Sequence, residues 1–146
     1  MKGDDCITQK NKDIPYLLIL THGKWGVELV EGAEMICGNL KNIFAFPLMP
    51  DQSLIEYVEP IEEILRNAPE GSIILVDLFG GTTSNIAALL SSKYNILAVT
   101  GLNIAMLITA SEVRGKYGRE EIWEKLLNSS INNYKNLTEL LRNNLT

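Results

Sequence analysis

Residues that build metal centres and disulfide frameworks are scarce in this chain. Its 146 residues include one histidine and two cysteines. Cys6 lies in a polar leader and Cys37 in an apolar helical pattern, and neither has a C-x-x-C partner or a histidine at metal-ligand spacing. The sequence therefore predicts no metal site and no disulfide framework. We expect Cys37 to be a small buried apolar residue.

Clustered positive charge is also absent. The chain has 13 Lys and Arg residues against 18 Asp and Glu residues, which gives a net charge of -5. Binding to nucleic acid depends on clustered Lys and Arg side chains, so we expect no nucleic-acid partner. An acidic surface instead suits a basic protein partner.

Long apolar segments are missing as well. No run approaches the roughly 18 apolar residues of a membrane span, and residues 1–13 lack the apolar stretch of a secretory signal. There is no G-x-x-x-x-G-K-S/T loop for a nucleotide, and no cofactor is indicated. We expect a cytoplasmic protein with a flexible polar leader over residues 1–13 and one domain over residues 14–146, because 46% hydrophobic residues supply one sizeable core.

The chain does contain an alternation of short apolar runs and helical patterns. Apolar runs typical of strands buried on both faces cover residues 16–21, 43–48, 72–78 and 96–100. Helical patterns follow them over residues 25–36, 53–67, 83–92 and 104–112. Four successive βα units predict an α/β fold with a doubly wound, mainly parallel sheet of four strands and helices on both faces.

The C-terminal part leaves two alternatives open. A further helix is predicted over residues 119–127. Residues 128–144 suit either a continuing amphipathic helix or a short strand near residues 134–137. In the second case the sheet would gain an extra antiparallel strand.

Polar and glycine-rich segments follow three of the four predicted strands. His22 follows the first strand, Asp77 ends the third and Asn103 follows the fourth. The carboxyl ends of parallel strands form the edge at which doubly wound sheets bind ligands. If the first and third strands are neighbours, His22 and Asp77 face each other at that edge.

An imidazole beside a carboxylate suits the transfer of a phosphoryl group. Neutral imidazole is nucleophilic near pH 7, and its phosphoramidate is labile enough to pass the group on. A carboxylate bonded to the second ring nitrogen fixes the tautomer and stabilises the cationic ring, so we predict His22 as the phosphorylated nucleophile and Asp77 as the group that orients it. Backbone N–H groups of a glycine-rich turn that opens a helix would hold the phosphoryl oxygens. The residues predicted for this phosphate-binding turn are Gly80, Gly81, Thr82 and Thr83.

Several of these residues also have a purely structural interpretation. An aspartate at such a position, like Asp77, often caps the following turn. Gly80 and Gly81 suit any tight turn from strand to helix. Asn103 suits a helix N-cap better than a contact with phosphate.

A protein partner is predicted to contact a surface near His22. The residues predicted for this surface are Trp25, Leu102, Asn103 and Met106. Trp25 lies one turn beyond His22 and suits an aromatic anchor. Its helical spacing with Leu29, Ala33 and Ile36 suits core packing equally well, and Met106 has the same two interpretations.

Three segments carry a resemblance to a known family. LLILTHGKWG, ILVDLFGGTTSN and AVTGLNIAML, in this order and spacing over residues 14 to 130, resemble the enzyme IIA domain of the mannose/fructose/sorbose branch of the bacterial phosphoenolpyruvate-dependent sugar phosphotransferase system. The His-Gly pair after the first strand and the DLFGG loop followed by Asn85 are specific in combination.

The resemblance implies a phosphotransferase component. His22 would accept a phosphoryl group from the carrier protein HPr and donate it to enzyme IIB, with Asp77 orienting the imidazole. Such a protein meets the membrane only indirectly, through the transporter complex. The resemblance also implies a homodimer, joined in many members partly by an exchanged strand near the C-terminus.

Thr82 and Thr83 depart from the family pattern, which usually has Ser-Pro after the paired glycines. Thr82 keeps a hydroxyl that could bond a phosphoryl oxygen, whereas the loop loses the rigidity of proline.

Two other functions remain open for the same residues. The phosphoryl-transfer subunit of the dihydroxyacetone kinase system also pairs a strand-end histidine with a similar sheet, although the DLFGG loop favours the sugar branch. A phosphorylated regulatory module of a transcription activator is the other alternative.

Overall fold

Strands and helices alternate over most of the described chain, which ends in three successive helices. A computed structural model describes residues 14–145, so the leader predicted over residues 1–13 lies outside the described residues. The elements are β1 (Leu17–His22), α1 (Trp25–Cys37), β2 (Ile43–Leu48), α2 (Leu54–Leu65), β3 (Ile73–Val76), α3 (Thr82–Tyr94), β4 (Leu97–Thr100), α4 (Ile104–Val113), α5 (Arg119–Asn132) and α6 (Leu137–Leu145).

The four strands form one sheet in the order β2-β1-β3-β4, and every neighbouring pair is parallel. The chain runs outward from β1 to β2, then returns to place β3 on the other side of β1. This reversal of direction creates a topological switch point between β1 and β3. The predicted α/β fold is confirmed, and so is the pairing of the first and third strands.

Each strand divides its side chains between two cores, because successive residues point to opposite faces. Leu17 and Ile19 of β1 pack in the core that α1, α4 and α5 cover. Leu18 and Leu20 pack in the core that α2 and α3 cover. This two-sided burial explains why the strands appear in the sequence as continuous apolar runs.

The apolar residues spaced along one side of α1 do not all lie in the core, and of the two interpretations of Trp25 the structure favours the surface one. Trp25 and Ile36 are exposed, at 40% and 66% of their surface. The residues buried in α1 are Gly26, Val30 and Ala33. The helix is turned this way because Gly26 has no side chain and lies directly against β1.

The prediction that Cys37 is buried is also wrong. Cys37 is the last residue of α1 and is exposed. Its Sγ donates to the carbonyl oxygen of Ala33, one turn earlier.

The two alternatives for residues 128–144 resolve in favour of helix. α5 continues to Asn132, and α6 begins at Leu137 after a short turn. Within the described part of this segment there is no strand, so the extra antiparallel strand is not formed. No helix among residues 14–145 is long and apolar enough to cross a membrane.

Two glycines of α1 give a matched test of its close approach to β1. A Cβ at Gly26 would lie 2.9 Å from Cγ2 of Thr21, whose buried hydroxyl already donates to the carbonyl of Gly23. A Cβ at Gly32 would meet nothing nearer than Cδ1 of Ile104, at 3.8 Å.

We expect Gly26→Ala to lower the free energy of unfolding by about 1–3 kcal/mol, because the contact overpacks the core. Gly32→Ala should instead raise it by up to about 1 kcal/mol through helix propensity. Unfolding in denaturant measures both changes. A Gly26→Ala variant as stable as Gly32→Ala would contradict the proposed close approach.

Candidate functional site

The site lies where β1 and β3 end side by side. Leu20 of β1 is in register with Val76 of β3, and the backbone N–H of Asp77 donates to the carbonyl of Leu20. His22 is the last residue of β1 and Asp77 follows the last residue of β3. The sheet thus brings the predicted histidine and carboxylate together at its carboxyl edge.

Asp77 holds His22 by two hydrogen bonds to a single carboxylate oxygen. Oδ2 accepts from the backbone N–H of His22 at 2.7 Å and lies 2.9 Å from Nδ1 of the ring. An ionised carboxylate can only accept, so Nδ1 carries the hydrogen, and in the neutral ring Nε2 then keeps a free lone pair. The His22 side chain is 48% exposed, whereas that of Asp77 is 8% exposed. The ring therefore presents a nucleophilic nitrogen at the surface while its orienting group is buried.

The second carboxylate oxygen of Asp77 is also occupied. Oδ1 accepts from the backbone N–H of Leu78 and from Oγ1 of Thr83, each at 2.8 Å. Burial raises the pKa of Asp77, but the hydrogen bonds from His22 and Thr83 outweigh burial and hold that pKa below its usual value. Asp77 is therefore ionised at neutral pH and can accept from the imidazole ring.

Tyr57 of α2 interacts electrostatically with Asp77. Burial, and then the negative charge of Asp77, raise the pKa of Tyr57 far above its ordinary value. Its hydroxyl donates to the carbonyl of Phe46. The phenol therefore stays neutral and is a structural neighbour of the site rather than an acid or base in it.

Helix α3 begins directly beside the imidazole. Its N-cap is Gly81, which offers no side-chain cap to the free N–H groups of the first turn. A Cβ at Gly81 would lie 3.2 Å from Cε1 and 3.6 Å from Nε2 of His22, so a glycine leaves the nucleophilic nitrogen accessible. Gly80 has φ +89°, a conformation that favours glycine. The free N–H groups and the helix dipole together favour an anion at this position.

The two threonines of this turn differ in their surroundings. Thr82 is exposed, and it directly follows Gly81. Thr83 is fully buried, and its hydroxyl donates to Asp77. The Thr83 side chain therefore cannot contact a phosphoryl group at the surface, and the sequence did not predict its bond to Asp77.

The residues predicted to contact a partner are only partly at the surface. Trp25 is 40% exposed, but Leu102 and Met106 are buried in the core beneath α4. Asn103 caps α4 by accepting from the N–H of Met106, and its Nδ2 donates to Oγ of Ser130. We therefore leave Leu102 and Met106 out of any contact surface.

Two exposed apolar residues next to the site were not predicted to contact a partner. Leu78 is 60% exposed and Phe79 is 82% exposed. They lie between Asp77 and Gly81, both of which contact His22, so the loop that carries them borders the imidazole. In the sequence, these residues could have been recognised as an apolar pair in a loop that precedes two glycines. Within residues 14–145, no group of three or more His, Cys, Asp or Glu side chains is placed to hold a metal ion.

Comparison with known protein families gives a match over most of the chain. Residues 16–127 match the EIIA-man model, described as the PTS system fructose IIA component. The chain is 26% identical over 128 residues to the PTS system fructose-specific EIIA component of Bacillus subtilis, covering 86% of this chain and 88% of that protein. It is 28% identical over 95 residues to the PTS system mannose-specific EIIAB component of Escherichia coli, covering 63% of this chain and 29% of that longer protein.

Solved structures share the fold. The mannose/sorbose-specific IIA subunit of the phosphotransferase system from Enterococcus faecalis superposes with a TM-score of 0.74 at 27% identity, over 84% of this chain and 93% of that one. The phosphotransferase system component EIIA from Streptococcus agalactiae has a TM-score of 0.73 at 22% identity, over 85% of this chain and 98% of that one. The second likeness bears on the fold alone.

The lowered pKa of Asp77 predicts how stability depends on pH. The ordinary pKa of this carboxyl, which also applies to the unfolded chain, is 3.8, and the folded-state pKa is lower. Asp77 therefore stabilises the fold fully above pH 3.8, and this stabilisation is lost as the pH falls through the folded-state pKa. We therefore expect Asp77→Asn to lower the free energy of unfolding by about 1–3 kcal/mol at neutral pH. The difference from the wild type should shrink as pH falls below 3.8. Unfolding in denaturant at a series of pH values measures it, and a difference independent of pH would contradict the assignment.

Proposed function

Because the match to its model spans residues 16–127, the chain belongs to the EIIA-man family of IIA components of the sugar phosphotransferase system, and we propose that it relays a phosphoryl group through Nε2 of His22. The observation that supports this most directly is the 2.9 Å contact between Nδ1 of His22 and Oδ2 of Asp77. In the neutral ring this contact places the hydrogen on Nδ1 and leaves the lone pair on Nε2, and the ring is 48% exposed. The donor is phosphorylated HPr. The acceptor is an enzyme IIB, which receives the phosphoryl group from His22.

In the first transfer, the lone pair of Nε2 attacks the phosphorus of a phosphohistidine on HPr. The bond from phosphorus to Nε2 forms as the bond to the donor imidazole breaks, and the donor nitrogen takes that electron pair. The His22 ring gains positive character, which the ionised Asp77 stabilises through the Nδ1–H bond. The free N–H groups at the start of α3 stabilise the charge on the phosphoryl oxygens. In the second transfer a nucleophile of enzyme IIB attacks the same phosphorus, and Nε2 leaves with its electron pair.

The exposed residues around the ring suit two partners that bind one after the other. Both partners must bring a reacting atom in line with Nε2, so both must cover the surface that surrounds His22. Trp25, Leu78 and Phe79 provide apolar side chains on that surface. Aromatic residues of this kind carry much of the binding energy at protein interfaces. The chain would then meet the membrane only through the transporter that enzyme IIB serves.

The C-terminal helices support a homodimer as part of this proposal. Exposed apolar residues recur at helical spacing along α5 and again along α6, with Tyr134 in the turn between the two helices. We call these residues the apolar stripe, and they are Trp123, Leu127, Ile131, Tyr134, Leu137, Leu140 and Leu141. Spacing of three and four residues places such side chains on one face of a helix. A second copy of the chain, presenting the same stripe, would bury both.

Phosphorylation assays test the relay. Because His22 is the only histidine, incubation with phosphoenolpyruvate, enzyme I and HPr should add one acid-labile phosphate per chain. NMR of the labelled ring should place that phosphate on Nε2, since Nδ1 faces Asp77. His22→Ala should take up no label, and enzyme IIB should remove the label from the wild type. Label in His22→Ala, or no uptake from phosphorylated HPr, would refute the relay.

Two substitutions on α6 test the dimer. Leu137→Glu combined with Leu141→Glu places two charges in the proposed interface and should raise the dimer dissociation constant about tenfold or more. Met35→Glu is the control, because Met35 is 89% exposed on α1, outside the stripe. Analytical ultracentrifugation measures the dissociation constant. A wild-type monomer, or equal dissociation constants for the α6 variant and the control, would contradict this dimer.

A further inference from the structure

Thr83 is a buried polar residue whose hydroxyl reaches the site only through another side chain. It is fully buried at the second position of α3. Its Oγ1 donates to Oδ1 of Asp77 at 2.8 Å. The opposite oxygen of the same carboxylate lies 2.9 Å from Nδ1 of His22. A chain of two hydrogen bonds therefore connects α3 to the imidazole.

We propose that Thr83 is a positioning residue for the phosphoryl relay, whose hydroxyl keeps Asp77 ionised with Oδ2 directed at Nδ1 of His22. This proposal rests on the relay function proposed above. It concerns how the carboxylate is prepared for its task, not a contact with the transferred group.

The distribution of donors around Asp77 supports this role. Oδ1 accepts from Leu78 and Thr83, while Oδ2 accepts the backbone N–H and the ring N–H of His22. Two of these donors are backbone groups and one belongs to the reacting ring. Thr83 is therefore the one side chain, besides the nucleophile itself, that donates to the carboxylate among the described residues. A hydrogen bond to a charged group stabilises that charged form over the neutral acid.

The position of Thr83 also connects the orienting group to the anion site. The turn that holds Thr83 begins at Gly81, whose backbone lies against the imidazole. Its free N–H groups are those that would hold phosphoryl oxygens. Since the same turn donates to Asp77, the helix N-terminus, the carboxylate and the ring are fixed relative to one another. Such fixed geometry is what positioning contributes to a group transfer.

His22 of β1 is the titratable group that acts on Asp77. The charge of Asp77 acts in turn on Tyr57 of α2. Tyr57 is kept neutral by burial and by its bond to Phe46. A substitution at Thr83 should therefore change the titration of Asp77 and the hydrogen bond that Asp77 accepts from Nδ1 of His22.

Thr83→Val and Thr83→Ser separate the hydroxyl from the packing of the side chain. Valine keeps the branched shape without the hydroxyl, and serine keeps the hydroxyl without the methyl group. In Thr83→Val we expect the carboxyl of Asp77, followed by carbon-13 NMR, to titrate about one pH unit higher. The acid limb of the relay rate should move in the same direction. At neutral pH, where Asp77 stays ionised in either form, kcat should fall about tenfold because Oδ2 is no longer held toward Nδ1 of His22. KM for phosphorylated HPr should stay unchanged, because Thr83 is not at the surface.

Thr83→Ser should restore both the titration and the rate to near wild-type values. An unchanged titration in Thr83→Val would overturn the proposal, and so would a Thr83→Ser variant that shifts as far as Thr83→Val. If Thr83→Val does not fold, Thr83→Ala removes the same hydroxyl and takes its place. The Asp77 titration is measured on the unphosphorylated chain, so it tests Thr83 even if the relay through His22 is refuted.

Discussion

The site depends on one buried carboxylate that accepts four hydrogen bonds. Asp77 takes two of them from His22 and one each from Leu78 and Thr83. An ionised carboxylate that is mostly buried is unfavourable unless its oxygens are satisfied. Here both oxygens are, and the result is an anion held next to an exposed imidazole. The tautomer of that ring, and so the position of its nucleophilic lone pair, follows from this single group.

The sheet topology makes this arrangement possible. β1 has β2 on one side and β3 on the other, so its connection to the next strand leaves in one direction and the chain returns in the other. At such a reversal the loops after the two strands separate, which opens a crevice at the carboxyl edge. His22 and Asp77 contact each other at that edge, and α3 begins beside them with free N–H groups. The ring, its orienting anion and an anion-binding helix start are thus consequences of one strand order.

Much of this could be predicted from the sequence, because strands buried on both faces are continuous apolar runs and their carboxyl ends meet at one edge. That reasoning found the fold and the pair His22 and Asp77. The orientation of α1 could not be found in this way, since two different sets of apolar residues fit a helical period. The set that contains Gly26 lies inside because only a glycine fits against Thr21. The hydrogen bond from Thr83 to Asp77 was missed for a similar reason, because the burial of Thr83 depends on how α3 packs on the sheet.

Thr83 also bears on the departure from the pattern that the resemblance implies. A proline at this position would fix the backbone of the first turn of α3, since its ring restricts φ. Threonine gives up that restriction, but its hydroxyl connects the same turn to Asp77. In place of a restricted backbone, the hydrogen bond from Thr83 to the carboxylate of Asp77 constrains the turn. In this chain, rigidity of the anion-binding turn and orientation of the imidazole therefore depend on the same side chain.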